Sequence, residues 1–291
     1  MKVDVAQAQG MVGMDATDTI DTTDTATPPV SRQVDIVRIS HGQRSVQTDA
    51  LAEEIAIALE FNGISYATML ATPADLEDFA IGFSLSEGVV AHPREIRGVD
   101  ILPGCDGIVV QVEIATEREV AMKARRRAMA GRTGCGLCGV ESLDKVIRPV
   151  GRVPSGGDVS LAQLSHALTV MRGRQSLHDT TGATHAAGFM AASGDVSLVR
   201  EDVGRHNALD KLIGALARAR IDTEGGAAIV SSRASYEMVQ KTASAGIGVL
   251  VAVSAPTALA VRLAQDAGLV LIGFMRGEQC VVYSHTDRLK P

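Results

Sequence analysis

The chain has 291 residues, 46% of them hydrophobic and 21% charged, a composition that suits a soluble globular fold of one large or two ordinary domains. With 3% aromatic residues and no Trp, the core must come from Ala, Val, Leu and Ile, which excludes base-stacking platforms for single-stranded nucleic acid. A formal net charge of -6 excludes a generally nucleic-acid-binding surface, and no apolar run reaches the ~20 residues of a membrane span.

In chain order, residues 1–32 hold Asp15, Asp18, Asp21 and Asp24 among threonines, with few apolar side chains to bury, and read as a disordered tail. Order is expected from about Val34, where Val34, Ile36 and Ile39 suggest a strand; residues 52–59 continue it and Gly63 supplies a turn. Thr72 and Pro73 ahead of Asp75, Glu77 and Asp78 predict a helix with Thr72 as its N-cap, running to about Glu87 and stopped by Gly88. Residues 107–115 alternate and are β-branched, a strand pattern. Residues 33–130 therefore read as a smaller α+β region, and residues 131–157 as a glycine-rich loop and linker. From residue 158 to residue 291 the pattern changes. Helices are expected over 161–172, 208–219, 234–244 and 257–267, and strands over 183–192, 196–200, 227–230, 249–253 and 269–274. Strands alternating with helices of this length predict parallel βαβ units in an α/β domain, closed by a hairpin over 280–284.

The N-terminus lacks the basic start and apolar core of a signal peptide, and four cysteines in this length do not make a disulfide framework; both point to the cytoplasm. Cys135 and Cys138 stand out, because Gly131, Gly134, Gly136 and Gly139 let the segment bend and expose its thiols. The thiolate is the reactive form, and nearby cations favour it. Lys123, Arg125, Arg126, Arg127 and Arg132 stand just upstream without an acid among them. Four readings stay open on the residues alone. A zinc site would need ligands beyond the pair, from Cys105, Cys280, histidines or a second subunit. A thioredoxin-like disulfide site would sit between a strand and a helix, whereas this pair follows an arginine-rich stretch. The remaining readings are inert thiols and covalent carriage of a group on sulfur.

Four blocks in order resemble one family: Gly134-Cys135-Gly136-Leu137-Cys138-Gly139, residues 200–211 (Arg200-Glu201-Asp202-Val203-Gly204-Arg205-His206 and onward), residues 232–241 opening Ser232-Arg233-Ala234-Ser235, and Gly273-Phe274-Met275-Arg276-Gly277. Over about residues 34–285 the chain is similar to the FdhD family of formate dehydrogenase accessory sulfurtransferases. The resemblance implies a C-terminal domain like the cytidine deaminase fold. It implies that Cys135 carries a persulfide received from a cysteine desulfurase, with Cys138 assisting relay or release. It also implies that Phe274, Met275, Arg276, Gly277, Glu278 and Gln279 bind the bis-molybdopterin guanine dinucleotide cofactor of molybdenum, held as a substrate, with no metal site of the protein's own. The partners implied are the desulfurase and apo formate dehydrogenase, and a homodimer is the default assembly. Deamination is excluded, because Ala187 stands where a deaminase has its catalytic Glu and no PCxxC follows. A dithiol–disulfide oxidoreductase and a non-catalytic cofactor chaperone are the competing functions.

Several polar residues remain. Ser231, Ser232 and Arg233, and likewise Ser254 and Thr257, fall where a predicted strand meets a helix, the place where α/β sheets bind ligands. His206 reads either as a ligand or proton-transfer group or as a surface partner of Asp202, and His185 as a satisfied core histidine.

Overall fold

The computed structural model describes residues 27–120, 122, 150–154 and 159–290. Residues 1–26 of the expected tail and the Cys135/Cys138 segment with its basic run lie outside them.

The described chain opens on a hairpin of β1 (Ser31–Ser40) and β2 (Gln43–Ala52), which begins slightly before the expected Val34 because Ser31 and Arg32 pair with Ala52 and Leu51. A four-stranded sheet follows: β3 (Ile55–Phe61), β4 (Ile64–Ala71), β5 (Ile96–Gly104) and β6 (Gly107–Ile114), in the order β4-β3-β6-β5. Its alternating apolar residues Ile57, Leu59, Phe61, Val110 and Val112 bury one face under Phe79 and Phe83 of α1 (Leu76–Ser86).

The expected N-cap at Thr72 is not what the structure uses. α1 starts at Leu76 with Asp75 as its N-cap, at φ 52, and without a side-chain cap bond. Thr72 is committed elsewhere: its N–H donates to the Asp202 carboxylate at 3.0 Å, its hydroxyl accepts from Val203, and its carbonyl accepts from Lys211. These long-range partners outcompete a local cap, since a buried backbone group must be paired somewhere.

The second body is a six-stranded sheet built from β8 (His185–Met190), β9 (Val196–Asp202), β10 (Ala227–Val230), β11 (Val249–Ala252), β12 (Val270–Arg276) and β13 (Gln279–Ser284). Their order is β13-β12-β11-β10-β8-β9. Around it lie α2 (Leu161–Arg172), α3 (Ser176–Thr181), α4 (Arg205–Ala219), α5 (Tyr236–Ser244) and α6 (Ala258–Ala267). The short β7 (Val159–Ser160) pairs in parallel with β14 (Leu289–Lys290) at the chain's end.

Strand residues alternate between two cores. Ala187, Phe189, Val230, Leu250 and Leu271 face α4, α5 and α6, whereas Ala186, Ile229, Val251 and Ile272 face Leu164, Leu168 and Met171 of α2. The expectation of parallel βαβ units holds for β10, β11 and β12, which pair in parallel across the α5 and α6 crossovers. It fails for β8 and β9, which pair antiparallel, whereas β13 turns back antiparallel on β12 as the expected closing hairpin. The loops between β8 and β9 and between β12 and β13 are too short to hold a crossover, so the chain can only turn back on itself.

α1 joins the two bodies. It packs along α4 so closely that a Cβ at Gly82 would land on the Asp210 carbonyl, and one at Gly214 on the Asp78 carbonyl. Beside this contact Ser86 donates to Asp210 at 2.6 Å, and Lys241 reaches Asp210 and Glu87, each at 2.9 Å. Arg200 and Arg218 grip the buried Asp78 from either side.

Candidate functional site

At one end of the large sheet, the carboxyl ends of β10, β11 and β12 meet the start of β8 and the end of β9. The loops there are stitched together. Ser231 N–H donates to the Ala186 carbonyl at 3.0 Å, and the Ser231 hydroxyl accepts from the Ala186 N–H at 2.9 Å. Ala234 bridges to Pro256, and Thr257 N–H donates to the Ala234 carbonyl at 3.0 Å. Phe274 N–H donates to the Ser254 carbonyl at 3.3 Å. Three of the sequence blocks singled out above thus share one edge.

Two helices begin at this edge. α4 has Gly204 as its N-cap and α5 has Ser235, and neither makes a side-chain cap bond. Their first-turn N–H groups and dipoles favour an anion. Asp202, fully buried, fixes the approach to α4: it accepts from Gly204 N–H at 2.7 Å and from the Asn207 amide at 3.0 Å, and it pairs with Lys211 at 2.6 Å.

His206 therefore does not pair with Asp202, whose lone pairs are occupied. Its Nε2 lies 2.8 Å from the Glu237 carboxylate and 3.4 Å from the Ser235 hydroxyl. The hydrogen bond with His206 holds Glu237 below the usual carboxylate range, against the effect of its partial burial.

Nor is His185 a core residue. β8 begins with it, so it lies at the sheet's end and is half-buried. It lines a cavity of about 600 Å³ with Arg172, Gln175, His178, Ser231 and Val253. Burial pushes its imidazole below the usual histidine range, and the positive fields of Arg205, His178 and His206 add to that. The cavity wall is ordered by Glu201, which accepts from the Leu177 and His178 N–H groups and from the Thr184 hydroxyl at 3.0, 2.8 and 3.0 Å. Sequence reasoning overlooked Arg172, His178 and Glu201. Of these, only Glu201 carried a local signal, as part of the 200–211 block.

The turn expected to bind cofactor lies at the same edge. Phe274 sits at φ 53 in a register irregularity of the β12–β13 pair, with 41% of its surface exposed. A positive φ is uncommon for a bulky residue and re-aims the side chain away from its strand face. Met275 is fully buried against the α2 side, so only its backbone is available to a ligand. Arg276 and Gln279 pair across a two-residue turn of Gly277 and Glu278, and Gly277 supplies the positive φ of 54 at its first position. Arg276, Gly277, Glu278 and Gln279 are all exposed.

Cys135 and Cys138 lie outside the described residues. Of the other thiols, Cys105 is exposed at the β5–β6 turn. Cys280 is half-buried on β13, and burial pushes its thiol up. Among the described residues no three His, Cys, Asp or Glu side chains come together as a metal site, and no helix is long and apolar enough to cross a membrane.

The carboxyl ends of parallel strands, with convergent loops, uncapped helix starts and a polar cavity, are where mixed α/β sheets place their ligand sites. The chain's kinship is specific. A model of the FdhD/NarQ family matches residues 52–290, and the chain belongs to that family. Proteins named "Sulfur carrier protein FdhD" are similar over most of their lengths. One from Bordetella petrii is 60% identical over 84% of this chain and 88% of its own, and one from Cupriavidus necator is 54% identical over 91% and 92%. The fold also matches a crystal structure from Desulfotalea psychrophila described as a formate dehydrogenase accessory protein. The TM-score is 0.70 at 24% identity, over 90% of this chain and all of that one.

Proposed function

We propose that this protein is a cytoplasmic sulfurtransferase that carries sulfur as a persulfide on Cys135. The sulfur comes from a cysteine desulfurase and goes to the bis-molybdopterin guanine dinucleotide cofactor of molybdenum, its substrate, for use by formate dehydrogenase. The observation that carries this reading is the close thiol pair Cys135 and Cys138 among glycines and arginines, in a chain whose relatives bear the name of sulfur carriers. A glycine-rich sequence permits the bend that a reactive thiol needs, and cations nearby in sequence favour a thiolate. Cys138 gives a route of release: attack of its thiolate on the Cys135 sulfur forms a disulfide and expels the outer sulfur as hydrosulfide.

The edge at the carboxyl ends of β10, β11 and β12 has the chemistry to hold a dinucleotide-like substrate. Arg276 offers a bidentate contact to phosphate, and the exposed face of Phe274 offers an apolar surface beside it. The uncapped starts of α4 and α5 and the Ser231 and Thr257 hydroxyls supply donors for pyrophosphate oxygens. The likeness of the large sheet to the cytidine deaminase fold belongs to the same proposal, with deamination set aside because Ala187 lacks a carboxylate.

The test is intact mass spectrometry after incubation with a cysteine desulfurase and cysteine. One added sulfur that maps to Cys135 and is lost in Cys135→Ala is the expected result. An adduct unchanged in that variant would overturn the assignment.

A further inference from the structure

Among the described residues, seven of the eleven exposed large hydrophobic side chains stand on the strands of the β1–β2 ribbon and the small sheet, so uncovered apolar surface is concentrated there. β1 and β2 run ten residues each, ~34 Å at strand rise, and only Glu53 and Glu54 join them to β3. Ala50 near the ribbon's base is buried, whereas residues 37–48 are all exposed. Register sets Val37 opposite Val46 and Ile39 opposite Arg44, so these four side chains share one face of the outer half. Arg38, Ser45 and Gln47 share the other face, where Ile36 is the one apolar residue of that half. A strand pair with one apolar face calls for cover on that face.

The small sheet has an open face of its own. α1 covers the side of Leu59 and Val110, and alternation turns Ala58, Glu60, Val109 and Gln111 to the other. Register adds Leu70, opposite Ala56, Leu102, opposite Val109, and Asp100, opposite Gln111. Leu70 and Leu102 are 57% and 45% exposed. The polar part of this face is acidic. Glu113 lies 3.8 Å from Arg97, but Glu60 accepts only from the Gln111 amide at 3.3 Å, and Asp100 has no cation beside it. On the ribbon, Arg44 likewise has no acidic partner. Apolar side chains beside a free cation on one surface match apolar side chains beside free carboxylates on the other.

We infer that the ribbon of one copy lies on the open face of the small sheet of a second copy. Val37, Ile39 and Val46 then cover Leu70, Val109 and Leu102, and Arg44 meets Glu60 and Asp100. Both halves of the contact belong to one chain, so a second copy supplies what each lacks. The exchange is reciprocal about a two-fold axis, which closes the pair, whereas a one-sided contact would string copies into open chains. Five residues of each ribbon strand make a contact ~17 Å long and ~10 Å wide. One contact buries on the order of 500 Å² across both sides, and two reach ~1,000 Å², the lower bound of a specific interface. An interface of that size suits a pair that exchanges at micromolar concentration. The contact involves neither the thiols nor the candidate ligand edge, so it stands apart from the sulfur chemistry.

Sedimentation of the full-length chain from about 1 to about 100 µM should show a monomer–dimer equilibrium. Arg44→Glu should weaken dimerisation about tenfold, as should Glu60→Arg/Asp100→Arg, and the combined variant should return to within about threefold of the parent. That rescue separates charge pairing from misfolding. A second measurement locates the contact: Val46 is replaced by the photocrosslinker benzoylphenylalanine in a mixture of ordinary and isotopically labelled chains. Crosslinks are expected on the segments holding Leu70 or Leu102, with mixed light and heavy pairs among the products. A chain monomeric throughout that range, a dimer indifferent to Arg44→Glu, or a combined variant no better than the single ones would overturn the inference. Crosslinks confined to one copy or to other segments would do the same.

Discussion

Lys211 shows how much one buried side chain holds. Its ammonium reaches the fully buried Asp202 at 2.6 Å and donates to the Thr72 carbonyl at 2.9 Å, so one cation ties α4 to β9 and to the end of β4. Breaking such a pair from one side strands a charge in the interior. Lys211→Met should therefore cost about 3–5 kcal/mol of stability in urea unfolding. A loss within ~0.5 kcal/mol, the size of a surface change, would show that Asp202 is not relying on it. His185 makes a second prediction at this scale, and its sign follows from its depressed folded-state value. The unfolded imidazole titrates near 6.5, so as pH falls below that value the unfolded chain binds the proton first. Stability should drop with acidification below pH 6.5 until the folded value is passed. His185→Gln should flatten that part of a stability–pH curve, and an unchanged slope would remove His185 as its source.

At the scale of elements, the α1–α4 contact depends on two glycines. Backbone atoms lie where a side chain at Gly82 or Gly214 would begin, so even a methyl group must push the helices apart. Gly214→Ala improves intrinsic helix propensity, yet the protein should lose about 1–3 kcal/mol through overpacking. Chemical denaturation decides between the two effects, and a more stable variant would mean that the helices can separate without cost. Most of the β1–β2 hairpin lies open to solvent, although β2 meets α3. Val37, Ile39 and Val46 are 57%, 63% and 78% exposed, and a two-stranded ribbon in water is marginal without further cover.

For the whole molecule, the two sheets are joined by groups that neither can satisfy alone. Burial works against the charge of Lys241, but Asp210 and Glu87 outweigh it and hold the ammonium protonated above the usual lysine range. Glu87 follows α1, whereas Asp210 lies on α4, so separating the bodies would expose an ion pair and the glycine-lined helix contact together. The small and large sheets should consequently unfold in one transition. Tyr66 reports from the small sheet, and Tyr236 and Tyr283 from the large one, since the chain lacks Trp. Non-coincident tyrosine and far-ultraviolet dichroism curves would show two independent bodies.

What the sequence determined by itself is local. The apolar spacing over 161–172 matches α2 as found, residues 227–230 match β10, and Thr257 caps α6 by accepting from the Ala260 N–H, because such signals depend on neighbours a few residues away. The blocks at 200–211, 232–241 and 273–277 were legible as motifs, and with them the family. The direction of β8 and β9, the diversion of Thr72 from its cap, and the pairing of His206 with Glu237 instead of Asp202 were decided only by tertiary structure. Each depends on a partner far along the chain, and periodicity carries no information about which distant strand or carboxylate arrives. For the same reason Arg172, His178 and Glu201 meet around His185 without any shared signal in sequence, since only the folded sheet brings them to one edge.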